Sequence, residues 1–264
     1  MSRSFQMKAI VAAVSLLIGL SWNVQPAQAQ ADTITIAAAN SLKDALRKVL
    51  PLFEAEHRST TVRVIYGPSQ TLRSQIEQGA PVDIFLPSLF EEIDQLEAKG
   101  LIIQGTKRAF AATSLVLITG TTLPAPISSI QDLQTTPIRR IAVGDPKTSS
   151  VGKVAAQFLK FSKLEPKLKS QYILGEHSRA VLDLVAKGEA EIGVVYRTDA
   201  ISNSGVRILD TAPVGSHTPV RYGVAAAWTA QNISAAGDFI EFLLSPTIQT
   251  MLQEFGFDRV SPEV

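Results

Sequence analysis

Four places in the chain set small polar residues where a strand-like run gives way to a helix-like one: Asn40-Ser41, Ser69-Gln70-Thr71, Ser149-Ser150-Val151-Gly152 and His177-Ser178. The first turn of a helix carries N–H groups with no intrahelical partner, together with the positive end of the helix dipole, so it attracts anions. Hydroxyls and amides aimed at one point hold an oxyanion without a neutralising cation. No Lys or Arg stands at these starts, although Lys147 and Arg179 are close by. The same residue types are the common N-caps, and Asp44, three positions after Ser41, completes a box-like capping pattern. For any one junction, capping and anion binding both remain open. It is the fourfold recurrence that points to a shared anion site.

Other chemistry is poorly supported. There are 3 histidines, His57, His177 and His217, and none has a metal-ligand spacing. With 0 cysteines there is no disulfide framework, no thiolate metal site and no cysteine nucleophile. A Gly-x-Ser-x-Gly elbow, a Walker loop and a G-x-G-x-x-G turn are all missing from the sequence, and no hydrolase triad can be drawn. Glu189 and Glu191 read as a solvated turn, and Asp145-Pro146 as a turn starter. Tyr196 ends a buried strand, the edge where ligands collect in α/β sheets. Its ring packs in either case, but a buried phenol needs a hydrogen-bond partner.

Residues 1–29 read as a secretory signal peptide. Arg3 and Lys8 precede an apolar run from Ala9 to Leu20, and Ala27-Gln28-Ala29 offers a cleavage site, with Ala29-Gln30-Ala31 as the alternative. The run is too short for a membrane span. Lacking a cysteine to carry lipid, the product is expected to be free in the periplasm. Without the leader the chain has roughly 235 residues, one large domain or two of ordinary size. The net charge of +1 comes with no basic block, which argues against a nucleic-acid partner.

Strand-like and helix-like runs alternate almost throughout, which predicts an α/β fold with mainly parallel sheets. Strands are expected at Thr33–Ile36, Thr61–Tyr66, Val82–Leu86, Ser114–Thr119, Ile141–Val143, Tyr172–Leu174, Ile192–Tyr196, Val206–Leu209 and Arg221–Ala227. Helices are expected from Leu42, over Thr71–Gln78, Glu91–Lys99, Val151–Leu159 and Ser178–Lys187, and at the close over Gly237–Leu244 and Thr247–Phe255. The segment Gly120–Pro126 is turn-rich.

Several blocks resemble the periplasmic molybdate-binding proteins, which capture substrate for molybdate ABC importers. They are Ala38-Ala39-Asn40-Ser41-Leu42, Gln75-Ile76-Glu77-Gln78-Gly79-Ala80-Pro81-Val82-Asp83-Ile84-Phe85, Ser114-Leu115-Val116-Leu117, Ile141-Ala142-Val143-Gly144-Asp145-Pro146, Gly193-Val194-Val195-Tyr196-Arg197-Thr198-Asp199-Ala200 and Phe255-Gly256-Phe257. The resemblance runs over almost the whole chain after the leader. It implies a two-lobed periplasmic binding protein of type II, with mainly parallel sheets flanked by helices and the ligand between the lobes. One lobe would combine residues 32–113 with 214–264, and the other would be 114–213. It also implies a non-enzymatic transport protein, monomeric, with a membrane permease as partner and no cofactor beyond its ligand, molybdate or tungstate. Carried over position by position, the ligand donors are the hydroxyls of Ser41, Ser69 and Tyr196 and the backbone N–H groups of Val151 and Ser178. They would meet the metal only through the oxygens of the oxyanion. The chain departs from the family pattern where Asn40 replaces an alanine, where Pro68 removes an N–H, and where Ser149-Ser150-Val151-Gly152 replaces a Val-Pro-Ala-Gly-like loop. These changes bear on the choice among molybdate, tungstate and sulfate or another tetrahedral oxyanion.

Overall fold

The computed structural model describes residues 32–122 and 127–260. The signal-peptide reading and the end of the Gly120–Pro126 turn lie outside these residues. The strands are β1 (Asp32–Ala39), β2 (Thr60–Gly67), β3 (Ile84–Leu86), β4 (Arg108–Thr113), β5 (Leu115–Gly120), β6 (Ile141–Gly144), β7 (Tyr172–Gly175), β8 (Ile192–Tyr196), β9 (Val206–Thr211) and β10 (Val220–Ala226). The helices are α1 (Lys43–Glu56), α2 (Ser69–Glu77), α3 (Glu91–Glu97), α4 (Ser150–Phe161), α5 (Glu165–Leu168), α6 (Ser178–Ala186), α7 (Arg197–Ile201), α8 (Ile233–Leu244) and α9 (Pro246–Glu254).

The strands form two sheets, ordered β2-β1-β3-β10-β4 and β7-β6-β8-β5-β9. Helices flank both, giving the two-lobed α/β architecture of a type II binding protein. The sheets are mixed rather than mainly parallel. In the first, β1 runs parallel to β2 and β3, while β10 runs antiparallel to β3 and β4. In the second, β6 is parallel to β7 and β8, while β5 is antiparallel to β8 and β9. The antiparallel half of each sheet is built by strands that cross between lobes. The chain leaves the first sheet at Thr113, enters the second at Leu115, and returns at Val220.

β4 was not expected. Its sequence, Arg-Ala-Phe-Ala-Ala-Thr, has little β-branched or alternating character, and β10 and the Ala112–Asp258 bridge supply its partners. α8 starts at Ile233 rather than Gly237, because Asn232 caps it by accepting the Ala235 N–H at 3.0 Å.

The parallel halves position the site. β1, β6 and β7 each end on small residues, Ala39, Gly144 and Gly175, and feed a helix start, as β2 does through Gly67-Pro68. The fit at β6 is close. A Cβ on Gly152, in the first turn of α4, would lie 2.5 Å from the Asp145 carbonyl, and one on Gly144 would lie 2.6 Å from the Gly152 nitrogen. Only glycine lets the helix start sit this tightly on the strand end. Fully buried Leu42 anchors the Asn40–Leu42 3-10 turn that carries Ser41. Asp83, the acid of the Gln75–Phe85 block, is a structural pin. Its carboxylate accepts the Thr35 N–H at 2.7 Å and the Gln231 N–H at 2.8 Å.

Candidate oxyanion site

The carboxyl ends of β1, β2, β6, β7 and β8 converge on one small cavity. Its lining includes Asn40, Ser41, Ser69, Ser88, Ser149, Ser150, Val151, His177, Ser178 and Tyr196. All five residues expected to bind, Ser41, Ser69, Val151, Ser178 and Tyr196, are brought together here, each at most 6 % exposed. The space is about 20 Å³ when measured at the centre of a water-sized sphere, enough for about one such sphere. No Asp, Glu, Lys or Arg is among the lining residues.

Capping and ligand presentation are done by different residues. Ser149 caps α4, accepting the Gly152 N–H at 3.4 Å, and His177 caps α6, its Nδ1 accepting the Ala180 N–H at 3.1 Å. Neither the Ser41 turn nor α1 has a side-chain cap, and α2, preceded by Pro68, has none either. The capping box expected of Ser41 and Asp44 does not form. Asp44 instead pairs with Arg179 at 2.6 Å. A guanidinium offers the carboxylate a charged partner, a stronger one than a backbone amide at the helix start.

Ser41 and Ser69, which do not cap, have acceptor sites filled from inside the protein. Tyr222 O–H donates to Ser41 Oγ at 2.8 Å. Ser88 N–H donates to Ser69 Oγ at 3.1 Å. A serine hydroxyl that already accepts has its own proton to give; Ser41 lines the cavity, and Ser69 has both the cavity and Ser88 Oγ, 3.2 Å away, within reach. Ser178 differs. Its Oγ accepts the Tyr196 N–H at 3.2 Å. Ser178 lines the cavity in the first turn of α6, where backbone N–H groups lack intrahelical acceptors. Val151 stands in the equivalent turn of α4, where intrahelical acceptors are lacking.

Two residues that contact the cavity serines were not found from the sequence. Ser88, 3 % exposed, lies with its Oγ 3.2 Å from Ser69 Oγ and 3.3 Å from the Tyr196 hydroxyl. It follows the third strand of the first sheet, so the rule that ligands gather at strand carboxyl ends was a usable signal. Tyr222 is fully buried on β10, edge-on to Tyr196 with ring centroids 6.2 Å apart. Burial raises the pKa of both phenols, so both stay protonated as donors. Burial lowers that of His177, the one imidazole in the lining, which keeps its capping nitrogen unprotonated. Asp145 and Glu191 hold nearby backbone. Asp145 Oδ1 accepts the Lys147 N–H at 2.9 Å in a turn, and Glu191 Oε2 accepts the Arg139 N–H at 2.8 Å.

Two lobes, a closed polar cleft between them and donors from both sides define a solute-binding protein. The chain belongs to the bacterial extracellular solute-binding protein family, whose model matches residues 34–258. It is similar to the molybdate-binding protein ModA of Escherichia coli, 31% identical over 238 residues that cover 85% of this chain and 88% of that one. It is also similar to YvgL of Bacillus subtilis, named for a substrate-binding lipoprotein of an ABC transporter, with 29% identity over 94% of this chain and 95% of that one. The solved periplasmic molybdate-binding protein of Azotobacter vinelandii shares the fold, with a TM-score of 0.77 at 19% identity over 86% of this chain and 100% of that one. Members of this family are transport components, not enzymes.

Proposed function

We propose that the protein is the exported substrate-binding component of an ABC importer and that it captures molybdate, and with it tungstate, for a membrane permease. One observation carries this reading: a buried cavity is lined by hydroxyls and helix-start amides from both lobes with no charged acid or base among them. Such a site neutralises an anion with dipoles alone. It offers no carboxylate to accept a proton, so it suits an oxyanion that is fully ionised at neutral pH. Molybdate, tungstate and sulfate meet that condition, whereas phosphate, which keeps a proton, does not. The molybdate-binding relatives support the larger ions over sulfate, the second reading.

Ser41, Ser69 and Tyr196 supply hydroxyls, and Val151 and Ser178 supply N–H groups. Ser41 and Ser69 belong to the lobe formed by 32–113 and 214–264, and the other three to 114–213. The membership of the two sheets supports this division and a hinge at the two crossings. An ion touching both lobes binds the closed form better than the open one, which is the condition for closure. No helix among the described residues is long and apolar enough to cross a membrane. With a leader before it and no cysteine for lipid, the protein would work as a free periplasmic monomer, with no cofactor and no nucleic-acid partner.

Titration calorimetry with sodium molybdate, sodium tungstate and sodium sulfate tests the assignment. Tight binding of the first two and weak binding of the third is expected. Equal affinity for sulfate would overturn the molybdate assignment, and native mass spectrometry of the purified protein would identify any ion carried along.

A further inference from the structure

Ser150 stands in the first turn of α4 and lines the cavity, 3 % exposed. Its Oγ is buried and has no hydrogen-bond partner. This sets it apart from its neighbours. Ser149 caps the helix, Ser178 Oγ accepts the Tyr196 N–H, and Ser41 and Ser69 Oγ accept Tyr222 O–H and Ser88 N–H. A hydroxyl taken out of water without a partner destabilises the fold that buries it. Ser150 lines a cavity whose walls also carry the hydroxyls of Ser41, Ser69 and Tyr196. α4 is a helix of 12 residues, so its amide dipoles add to the same point.

We propose that Ser150 is a further ligand-binding residue, its hydroxyl donating directly to an oxygen of the bound oxyanion beside the Val151 N–H. The proposal rests on the oxyanion reading of this cavity. It adds a donor beyond the five that the resemblance carried over, and gives the third junction a hydroxyl as well as amides. The unpartnered group also makes an unusual pair of signs for one substitution. Ser150→Ala removes a donor from the complex, and from the ligand-free protein it removes only an unsatisfied hydroxyl.

The test measures parent and Ser150→Ala by calorimetric titration with sodium molybdate, and by thermal melting with and without it. The expected result is a dissociation constant about ten-fold to a hundred-fold higher in the variant, with a ligand-free melting temperature equal to or above the parent's. An unchanged dissociation constant overturns the proposal while leaving the oxyanion reading intact. A clear fall in the ligand-free melting temperature also overturns it, because the hydroxyl would then have a structural partner. Failure of the parent to bind molybdate, tungstate or sulfate overturns the oxyanion reading itself.

Discussion

Tyr222 O–H donates to Ser41 Oγ at 2.8 Å across 181 positions of sequence. The bond places a buried phenol behind a cavity serine, filling its acceptor site and leaving its proton for the ligand. Tyr222→Phe keeps the ring, its contact with Phe257 at 5.1 Å and its contact with Tyr196. The hydroxyl of Ser41 then loses its orientation but stays in place. Affinity for molybdate should fall by about 0.5–1.5 kcal/mol, the value of an ordinary hydrogen bond. Calorimetry on the variant checks this, and a loss of several kcal/mol would mean the phenol touches the ligand itself.

Ser41→Ala and Ser69→Ala should each cost more. A hydrogen bond to a charged group is worth about 1.5–3 kcal/mol, so each variant should bind molybdate roughly ten-fold or more weakly. Neither serine caps a helix, but each Oγ accepts a buried internal donor, Tyr222 O–H or Ser88 N–H, so the ligand-free melt should fall somewhat alongside affinity. A large drop in ligand-free stability with affinity preserved would return both residues to a structural role.

Tyr196→Phe removes one hydroxyl from the second lobe and leaves its buried ring. Its present neighbour is Ser88 Oγ at 3.3 Å. At a ligand concentration about 1,000 times the dissociation constant, binding should protect the parent by about 4.1 kcal/mol. A tenfold weaker variant loses about 1.4 kcal/mol of that protection. Thermal melts with and without molybdate measure the difference, and equal protection would take Tyr196 out of the site.

The parts of the site that were legible share a local signature. At each of the four junctions a strand run, a small polar turn and an amphipathic helix follow one another within a few residues. Such neighbours along the chain report backbone N–H groups without intrahelical partners. What was not legible depends on distant partners. Nothing near Tyr222 in sequence says that its hydroxyl meets Ser41, and nothing near Asp44 says that Arg179 will draw it from a cap. Strand direction was hidden for the same reason. β5 and β10 have the apolar runs of buried strands, which fit a parallel or an antiparallel neighbour equally well.

Among the described residues three ion pairs join the two lobes: Arg197 meets Asp258 at 2.6 Å, and two more link helices. Asp44 on α1 meets Arg179 on α6 at 2.6 Å, and Glu91 on α3 meets Lys153 on α4 at 2.6 Å. Both are partly exposed, so each contributes at most about 1 kcal/mol and is screened by salt. Replacing Asp44 by Asn together with Lys153 by Gln should weaken molybdate binding a few-fold at low ionic strength. The difference from the parent should shrink as sodium chloride is raised. A salt-independent difference would mean that the pairs do not act by holding the lobes together.

Asp199 gives the fold a pH dependence of known sign. Its carboxyl is 1 % exposed, and its pKa is pushed up to about 6. Burial is the largest cause, partly offset by the Arg179 guanidinium 3.2 Å away and by the Ser178 hydroxyl, while Asp44 on α1 pushes the same way as burial. In the unfolded chain the group titrates near 3.9. Above pH 6 the folded protein therefore carries an ionised carboxylate at a cost. As pH falls from about 6 to about 4 the folded state takes up the proton first, and this group's contribution to stability rises. His177 works in the opposite direction, because burial lowers its pKa and acid would protonate the nitrogen that accepts from Ala180. The difference between parent and Asp199→Asn isolates the carboxylate, since His177 is the same in both. Ligand-free melts at pH 7, 6, 5 and 4 should show the variant's relative stability greatest at pH 7 and declining toward pH 4. A difference that stays constant over that range would show that Asp199 is ionised throughout and that Arg179, not burial, governs it.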